Sequence, residues 1–175
     1  MAYTYRFYDQ YNQYFITCTV HQWVDVFTRP DYVQIVLESI QYCQLHKGLQ
    51  VHAWVIMTNH VHLIVSSKQD KLSDIIRDFK KFTATKIIKA IATNNRESRK
   101  NWLLWLLKKE HKICLWQEGY HAEEIITQAF FETKLNYIHL NPVRASIVEK
   151  EEEYLYSSCA DYYGIRKGLL NLVID

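Results

Sequence analysis

Two apolar runs separated by three residues are the feature that most restricts the fold of this chain. The runs cover residues 51–57 and 61–65, and Thr58, Asn59 and His60 lie between them. Two runs of this length with so short a connection predict a β-hairpin, and asparagine is a natural turn residue. A hairpin in the middle of the chain indicates a sheet with antiparallel neighbours.

Strand and helix patterns alternate on both sides of this hairpin. Residues 14–20 are rich in β-branched and aromatic types, which is typical of a strand. Apolar residues recur at helical spacing in 33–45, before Gly48, and again in 72–92. Residues 93–112 indicate a polar loop followed by a short helix rich in Trp and Leu.

The remaining segments complete an α+β pattern. Residues 113–116 predict a further strand, and residues 122–140 predict a helix that ends at Asn141 and Pro142. The order strand, helix, hairpin, helix, strand, helix predicts a ferredoxin-like antiparallel sheet with helices packed on its faces.

The composition predicts one folded domain, residues 1–175. With 49% hydrophobic and 14% aromatic residues, the chain is long enough for one buried core and too short for two comfortable domains. The N-terminal residues lack the pattern of a secretory signal and no apolar stretch is long enough to cross a membrane, so we expect a cytoplasmic protein with no membrane partner. The four cysteines show no C-x-x-C spacing, which argues against a zinc knuckle or a redox pair.

A His-x-His pair at the end of the hairpin turn is the first candidate site. On a strand, residues i and i+2 point to the same side, so His60 and His62 can converge on one metal ion. If Val61 and Leu63 face the core, both imidazoles emerge on the opposite face. The alternative is a pair of partly exposed strand histidines without a ligand, because such pairs also occur by chance.

A tyrosine and an asparagine one helical turn apart form the second candidate site. Tyr137 and Asn141 lie at i and i+4 and therefore share a helix face. A tyrosine hydroxyl can attack a phosphodiester, although its ordinary pKa of about 10 makes it a poor nucleophile without help. A divalent cation would supply that help, and the Asn141 carbonyl oxygen suits a hard cation. Taken alone, the segment is more simply explained by a rim tyrosine and a helix stop.

Basic residues are concentrated in the middle of the chain. Residues 71–112 hold twelve of the 21 lysines and arginines but four acidic residues, whereas residues 118–153 hold eight acidic and three basic residues. The net charge of +2 hides this separation. One helix in the basic segment has the charge to follow a phosphate backbone, and a solvated helix face is the alternative. Its candidate DNA-binding residues are Arg77, Lys80, Lys81, Lys86 and Lys89.

Three motifs, in this order, resemble those of a known family. They are WVIMTNHVHLIV at 54–65, LWQEGY at 115–120 and YIHLNPVRA at 137–145. Together they resemble the single-tyrosine HUH transposases (IS200-like), and within these the REP-associated tyrosine transposases. The similarity spans roughly residues 10–160, and Ser157 and Ser158 resemble the family's C-terminal serine pair.

This resemblance implies an HUH endonuclease fold and a transposase that cuts and rejoins single-stranded or hairpin DNA with Mg²⁺ or Mn²⁺. It implies that His60 and His62 ligate the metal, and that Tyr137 is the nucleophile and forms a 5′-phosphotyrosine intermediate. Asn141, where many relatives carry glutamine, would complete the metal site. Arg144, in the same motif, is a further candidate DNA contact.

The sequence leaves several alternatives open. A non-catalytic module of the same fold that binds single-stranded nucleic acid would use Trp54, Trp116 and Tyr120 for base stacking. A replication-initiator nickase would use the same chemistry. Residues 94–112 are interpreted as an insertion. A homodimer whose tyrosine helix acts in trans is as compatible with the sequence as a monomer that acts in cis.

Overall fold

The structure, a computed structural model, describes residues 7–110 and 112–174 of the chain. None of the described helices is both long and apolar enough to span a membrane. Short 3₁₀ turns occupy His21–Trp23 and Glu151–Glu153. In chain order the strands and α-helices are β1 (Tyr14–Thr19), α1 (Pro30–His46), β2 (Leu49–Ile56), β3 (His60–Ser67), α2 (Leu72–Thr93), α3 (Lys100–Leu107), β4 (Lys108–Lys109), β5 (Lys112–Ile113), β6 (His121–Glu124), α4 (Gln128–Arg144) and α5 (Cys159–Tyr162).

Four of these strands form one antiparallel sheet in the order β2, β3, β1, β6. β1 lies between β3 and β6, and β2 pairs with β3 across the short turn. β1 and β2 thus run parallel to each other on either side of β3, which is the split β-α-β arrangement of ferredoxin-like folds. The predicted α+β class and the central hairpin are therefore confirmed.

The two faces of the sheet bury different residues. On β3, Val61 and Leu63 are buried with residues of α1 and α2 in the larger of two hydrophobic clusters. The other face carries Phe15 and Ile64, which pack with Ile138 of α4. Because side chains alternate along a strand, the two histidines of β3 share this second face. α4 therefore covers the face on which the histidines lie.

The last strand of the sheet lies later in the chain than the sequence predicts. Ile113 belongs to a small hairpin of β4 and β5, and Trp116 forms only an isolated bridge with Val20. The strand that pairs with β1 is β6, in which Ala122 alone is buried. An edge strand needs few apolar residues, so β6 lacks the apolar run on which the prediction at 113–116 rested.

The last long helix also begins and ends later than predicted. It begins at Gln128 rather than at residue 122, and the Thr127 hydroxyl caps its first turn. Pro142 lies inside the helix instead of ending it, and α4 continues to Arg144. A proline in the last turn removes one backbone hydrogen bond and has little helix beyond it to disrupt.

The segment predicted to be an insertion, residues 94–112, contains α3 and β4, and its residue His111 lies outside the described residues. A buried carboxylate joins this segment to the start of α1. The Glu97 oxygens accept hydrogen bonds from Arg29 Nε at 2.8 Å and from Arg99 Nε at 3.2 Å. Leucines of α3 extend the larger hydrophobic cluster. The segment therefore packs against the sheet domain through both an ionic and an apolar contact.

Candidate active site

The two histidines of β3 lie side by side beneath α4. The centroids of the His60 and His62 rings are 4.6 Å apart. His62 is buried, with 4% of its surface exposed, and His60 is half-buried. Val61 and Leu63 face the opposite core, as the alternation of strand side chains predicts.

His62 is held from two sides and keeps one nitrogen unpartnered. Its Nδ1 lies 2.8 Å from the Thr17 hydroxyl on the neighbouring strand β1, and its ring stacks on Phe15 with centroids 5.2 Å apart. Its Nε2 is buried and has no hydrogen-bond partner among the residues that the structure describes. A buried polar nitrogen normally has a partner, so the orphaned Nε2 is a site where a ligand fits.

The tautomer of His60 follows from the orientation of the Asn59 amide. The Asn59 Nδ2 group donates to the Trp23 carbonyl at 3.2 Å and to Asp25 Oδ1 at 3.0 Å. The amide oxygen therefore faces His60 and accepts a hydrogen bond from His60 Nδ1 at 2.7 Å. With the proton on Nδ1, the lone pair of His60 is on Nε2, which is the arrangement of a metal-binding imidazole.

Both imidazoles are neutral at ordinary pH. Burial lowers the pKa of His60 to about 4. Burial, with smaller contributions from the charges on His60, Lys134 and His121, lowers the pKa of His62 to about 3. Only the neutral form of histidine binds a metal ion, so these shifts keep the pair in the competent state.

The residues present fit a divalent cation that takes only some of its ligands from protein side chains. Two neutral imidazoles with available Nε2 atoms supply two ligands. In the described part of the chain, no group of three His, Cys, Asp or Glu side chains could hold a metal ion. Asn141 is partly buried, and among the described residues no hydrogen bond joins its amide to either imidazole. Further ligands would have to come from an amide, from water or from a substrate oxygen.

Tyr137 lies beside the histidine pair of its own chain. Its ring centroid is 5.2 Å from that of His62 and 5.9 Å from that of Phe15, in both cases edge to face. The tyrosine is 39% exposed, so solvent reaches part of its side chain. The Arg144 guanidinium lies over the same ring, 5.4 Å from its centroid. Three of the sequence-predicted residues, Tyr137, His62 and Arg144, are thus brought together within one chain.

Lys134 is a cation of this site that is absent from the residues predicted from the sequence. Its Nζ lies 4.4 Å from the centroid of the Phe15 ring, beside His62, and pairs with Glu123 Oε1 at 2.7 Å. Lys134 precedes Tyr137 by three residues, and residues three apart share a helix face. The spacing between Lys134 and Tyr137 is therefore enough to predict from the sequence that Lys134 lies near the site. Asn59 and Thr17 carried no such signal, because their contacts depend on the turn and on strand pairing.

The basic residues of α2 are not part of this site. α2 packs against the opposite face of the sheet. Lys80 donates hydrogen bonds to the carbonyls of Gln117 and Gly119, and Arg77 pairs with Asp74 and Asp78 on its own helix. Arg77, Lys81, Lys86 and Lys89 are exposed, whereas Lys80 is half-buried.

Two of the aromatic residues predicted to stack on bases are unavailable for this role. Trp54 is fully buried on β2, and Trp116 is 7% exposed and donates its indole hydrogen to the Thr83 hydroxyl at 3.0 Å. Tyr120 is half-buried and stacks on Phe7. Runs of apolar and aromatic residues that predict strands also predict core positions, which explains why Trp54 and Trp116 face inward.

The comparisons with known proteins agree with this geometry. A family model described as IS200-like transposase matches residues 10–141. The chain belongs to the IS200-like transposase family. The match includes the His-x-His strand, Tyr137 and Asn141.

Among solved structures, this IS200-like transposase is similar in fold to a REP-associated tyrosine transposase bound to a REP hairpin. The TM-score is 0.69 at 17% sequence identity, and the match covers 100% of this chain and 94% of the other. A candidate transposase of Deinococcus radiodurans R1 gives a TM-score of 0.47 at 20% identity, covering 76% of this chain and 92% of that one. No curated protein matched the chain by sequence.

Proposed function

We propose that this transposase is a metal-dependent enzyme that nicks and rejoins single-stranded or hairpin DNA with Tyr137 as its nucleophile. The observation that carries the proposal is the 5.2 Å separation between the rings of Tyr137 and His62. The exposure of a tyrosine does not by itself indicate a catalytic role. A partly exposed tyrosine beside two neutral imidazoles, one with an orphaned nitrogen, has the parts that phosphoryl transfer requires.

In the proposed step, the Tyr137 hydroxyl oxygen forms a bond to phosphorus and the bond from phosphorus to the 3′ oxygen breaks. The products are a 5′-phosphotyrosine and a free 3′-hydroxyl, the phenolic proton passing to water and the departing oxygen taking up a proton. Attack by a 3′-hydroxyl on the phosphotyrosine reverses these bonds and rejoins a strand. His60 and His62, with Asn141 one turn beyond Tyr137, would hold Mg²⁺ or Mn²⁺. Such a cation polarises the phosphoryl oxygens and neutralises developing charge.

The chain's own cations support a phosphate at Tyr137. The Arg144 guanidinium lies over the tyrosine ring, and the Lys134 ammonium lies over the neighbouring Phe15 ring. A guanidinium offers paired donors that match phosphate oxygens. We expect Arg144 to contact the phosphate and Lys134 to contribute charge from behind His62.

DNA is the proposed partner. The similar solved structure is that of a protein bound to a hairpin, and membership of a transposase family favours the same class of substrate. The exposed lysines of α2 would contact only DNA that extends beyond the cleavage site to the other face of the sheet. Because Tyr137 meets His62 of its own chain, the site is proposed to act in cis, whether or not two copies associate.

The decisive experiment is to incubate labelled single-stranded hairpin DNA with Mn²⁺ and the protein, and to separate covalent adducts on a denaturing gel. Tyr137→Phe should form no adduct. Tyr42→Phe, an exposed tyrosine on α1, should match the wild type. An adduct with Tyr137→Phe would refute the nucleophile assignment. Tight DNA binding by the wild type without any adduct would favour the non-catalytic binding module.

A further inference from the structure

Trp23 is an exposed aromatic residue next to the candidate metal site. It is 57% exposed, and its ring meets that of His60 edge to face with centroids 5.7 Å apart. Its carbonyl accepts the Asn59 hydrogen bond that helps to orient His60. Trp23 therefore exposes part of its apolar ring to solvent while it contacts His60 of the candidate metal site.

The backbone that presents Trp23 is unusual. Gln22 and Trp23 both have positive φ, at 53° and 57°. Positive φ is strained for residues other than glycine, so two in succession are expected only where the surrounding structure holds them. The turn is fixed by hydrogen bonds from the His21 amide to the Leu115 carbonyl at 2.8 Å and from the Trp23 amide to the Val20 carbonyl at 3.0 Å. Strain of this kind concentrates at functional sites.

A cleft continues from this turn to the segment 94–112. Gln22 lines the cleft together with residues of the end of α3, of β4 and of the turn after β4. The volume of the cleft is about 650 Å³. Its lining residues are Gln22, Trp105, Leu106, Lys108, Lys109 and Glu110. Trp105 is 74% exposed and both lysines are exposed.

We propose that Trp23 and the cleft between Gln22 and Trp105 bind the single-stranded DNA that flanks the phosphate cleaved at Tyr137. This inference rests on the proposed function and names a second part of its substrate site. Exposed aromatic rings with interleaved lysines are the parts that proteins use to hold single strands, since bases stack on the rings and phosphates pair with the cations. The contact between the Trp23 and His60 rings places one end of this path beside the candidate metal site.

The same patch fits a protein partner less well. Lys108, Lys109 and Glu110 line the cleft and are exposed, so its charged residues are positive on balance, and charged residues are depleted at the centre of protein interfaces. The phosphates of a nucleic-acid strand, by contrast, would pair with the lysines. Charge complementarity and continuity with the active site therefore favour a nucleic-acid strand.

The test measures how a single-stranded flank changes DNA affinity. In a Tyr137→Phe background, which removes cleavage, the binding of one hairpin is compared with that of the same hairpin carrying a flank on its 5′ or its 3′ side. We expect one of the two flanks to tighten binding. Trp23→Ala and Trp105→Ala should each weaken binding of that flanked hairpin by about tenfold, as loss of one base stack predicts, and leave the bare hairpin unchanged. Trp105→Phe should retain most of the gain.

Trp102→Ala is the matched control. Trp102 lies on the same helix and is 48% exposed, but it does not line the cleft. It should bind flanked DNA as tightly as the parent. Equal binding by the parent, Trp23→Ala and Trp105→Ala would overturn the inference, and so would an equal loss in Trp102→Ala. Loss of self-association on Trp105→Ala with unchanged DNA binding would assign the face to a second copy of the chain.

Failure of this inference can be told apart from failure of the proposed function. Adduct formation at Tyr137 is measured with the wild type on both the bare and the flanked hairpins. If the adduct forms but neither a flank nor either tryptophan substitution changes DNA affinity, the assignment of the cleft is wrong and the role of Tyr137 is retained. If no adduct forms, the chemistry falls whatever the flank does.

Discussion

At the residue scale, the candidate site depends on hydrogen bonds that fix the direction of each imidazole. Asp25 and the Trp23 carbonyl hold the Asn59 amide, and Asn59 holds His60. The Thr17 hydroxyl on the neighbouring strand lies 2.8 Å from His62 Nδ1 and fixes the direction of that ring. Partners of this kind orient an imidazole and leave its other nitrogen for a ligand.

We predict that Asn59→Ala weakens the binding of Mn²⁺ about ten- to a hundredfold, the range typical for loss of a residue that orients a ligand. The reason is that His60 Nδ1 loses its acceptor and the ring is free to change tautomer. Isothermal titration calorimetry of the free protein measures the effect. Thr58→Ala removes a hydrogen bond to Asp25 but leaves the contact of Asn59 with His60, so it should bind Mn²⁺ normally. Unchanged affinity in Asn59→Ala would show that His60 needs no orientation from the turn.

At this scale, the sequence predicts which residues could ligate a metal ion but not which residues orient them. The His-x-His spacing identifies two residues on one strand face, since strand geometry alone places them there. Asp25 lies 34 residues before Asn59, and no local pattern connects the two. Supports of this kind come from distant loops and become visible only in the fold.

At the element scale, the position of α4 decides whether a site exists, because α4 carries Tyr137 over the histidines of β3. The helix is tied to the sheet by His139, whose Nε2 lies 2.9 Å from the Ser158 hydroxyl. The same hydroxyl accepts a hydrogen bond from the Trp54 amide of β2 at 3.0 Å. Ser158, the second serine of the pair noted in the sequence, thus joins the tyrosine helix to the edge strand β2.

We predict that Ser158→Ala destabilises the protein by about 1–3 kcal/mol, since His139 and the Trp54 amide lose a buried partner. Burial lowers the pKa of His139 to about 4, so a neutral imidazole is left unsatisfied. The unfolding midpoint in urea and the rate of adduct formation should both fall. The exposed Thr85→Ala on α2 is the control and should change neither. A stable Ser158→Ala variant with normal adduct formation would show that apolar packing alone positions α4.

The two element boundaries that the sequence misplaces, β6 and α4, have a common physical cause. Both lie at the edge of the sheet or at the surface, where burial is shallow and the apolar pattern is weak. The central elements, β1 to α2, were predicted closely because each has a deeply buried face.

At the scale of the whole molecule, one buried carboxylate joins the segment 94–112 to the sheet domain. Burial raises the pKa of Glu97, but hydrogen bonds from Arg99 and Arg29 outweigh it and lower the pKa from 4.5 to about 2. A pKa lowered on folding stabilises the protein above the unfolded value. This stabilisation is lost as the pH falls from about 4.5 toward 2.

We predict that Glu97→Gln lowers the free energy of unfolding at pH 7 by about 3–5 kcal/mol, because two arginines lose a buried anionic partner. Urea unfolding at pH 7, 4 and 3 measures the difference from the wild type, which should shrink as the pH falls. Glu132→Gln, at an exposed position on α4, should be neutral throughout. A difference that does not depend on pH would mean that Glu97 acts through packing and not through its charge.

Charge is distributed over both faces of the molecule, but only one face carries the candidate chemistry. Arg144 lies over Tyr137, whereas Lys81 is exposed on α2 behind the sheet. We predict that Arg144→Glu lowers both the affinity for a short single-stranded oligonucleotide and the yield of adduct, and that it flattens the salt dependence by about one phosphate contact. Lys81→Glu makes the same change of net charge and should affect neither with this short substrate. Equal losses in the two variants would mean that net charge, and not the position of Arg144, governs the encounter with DNA.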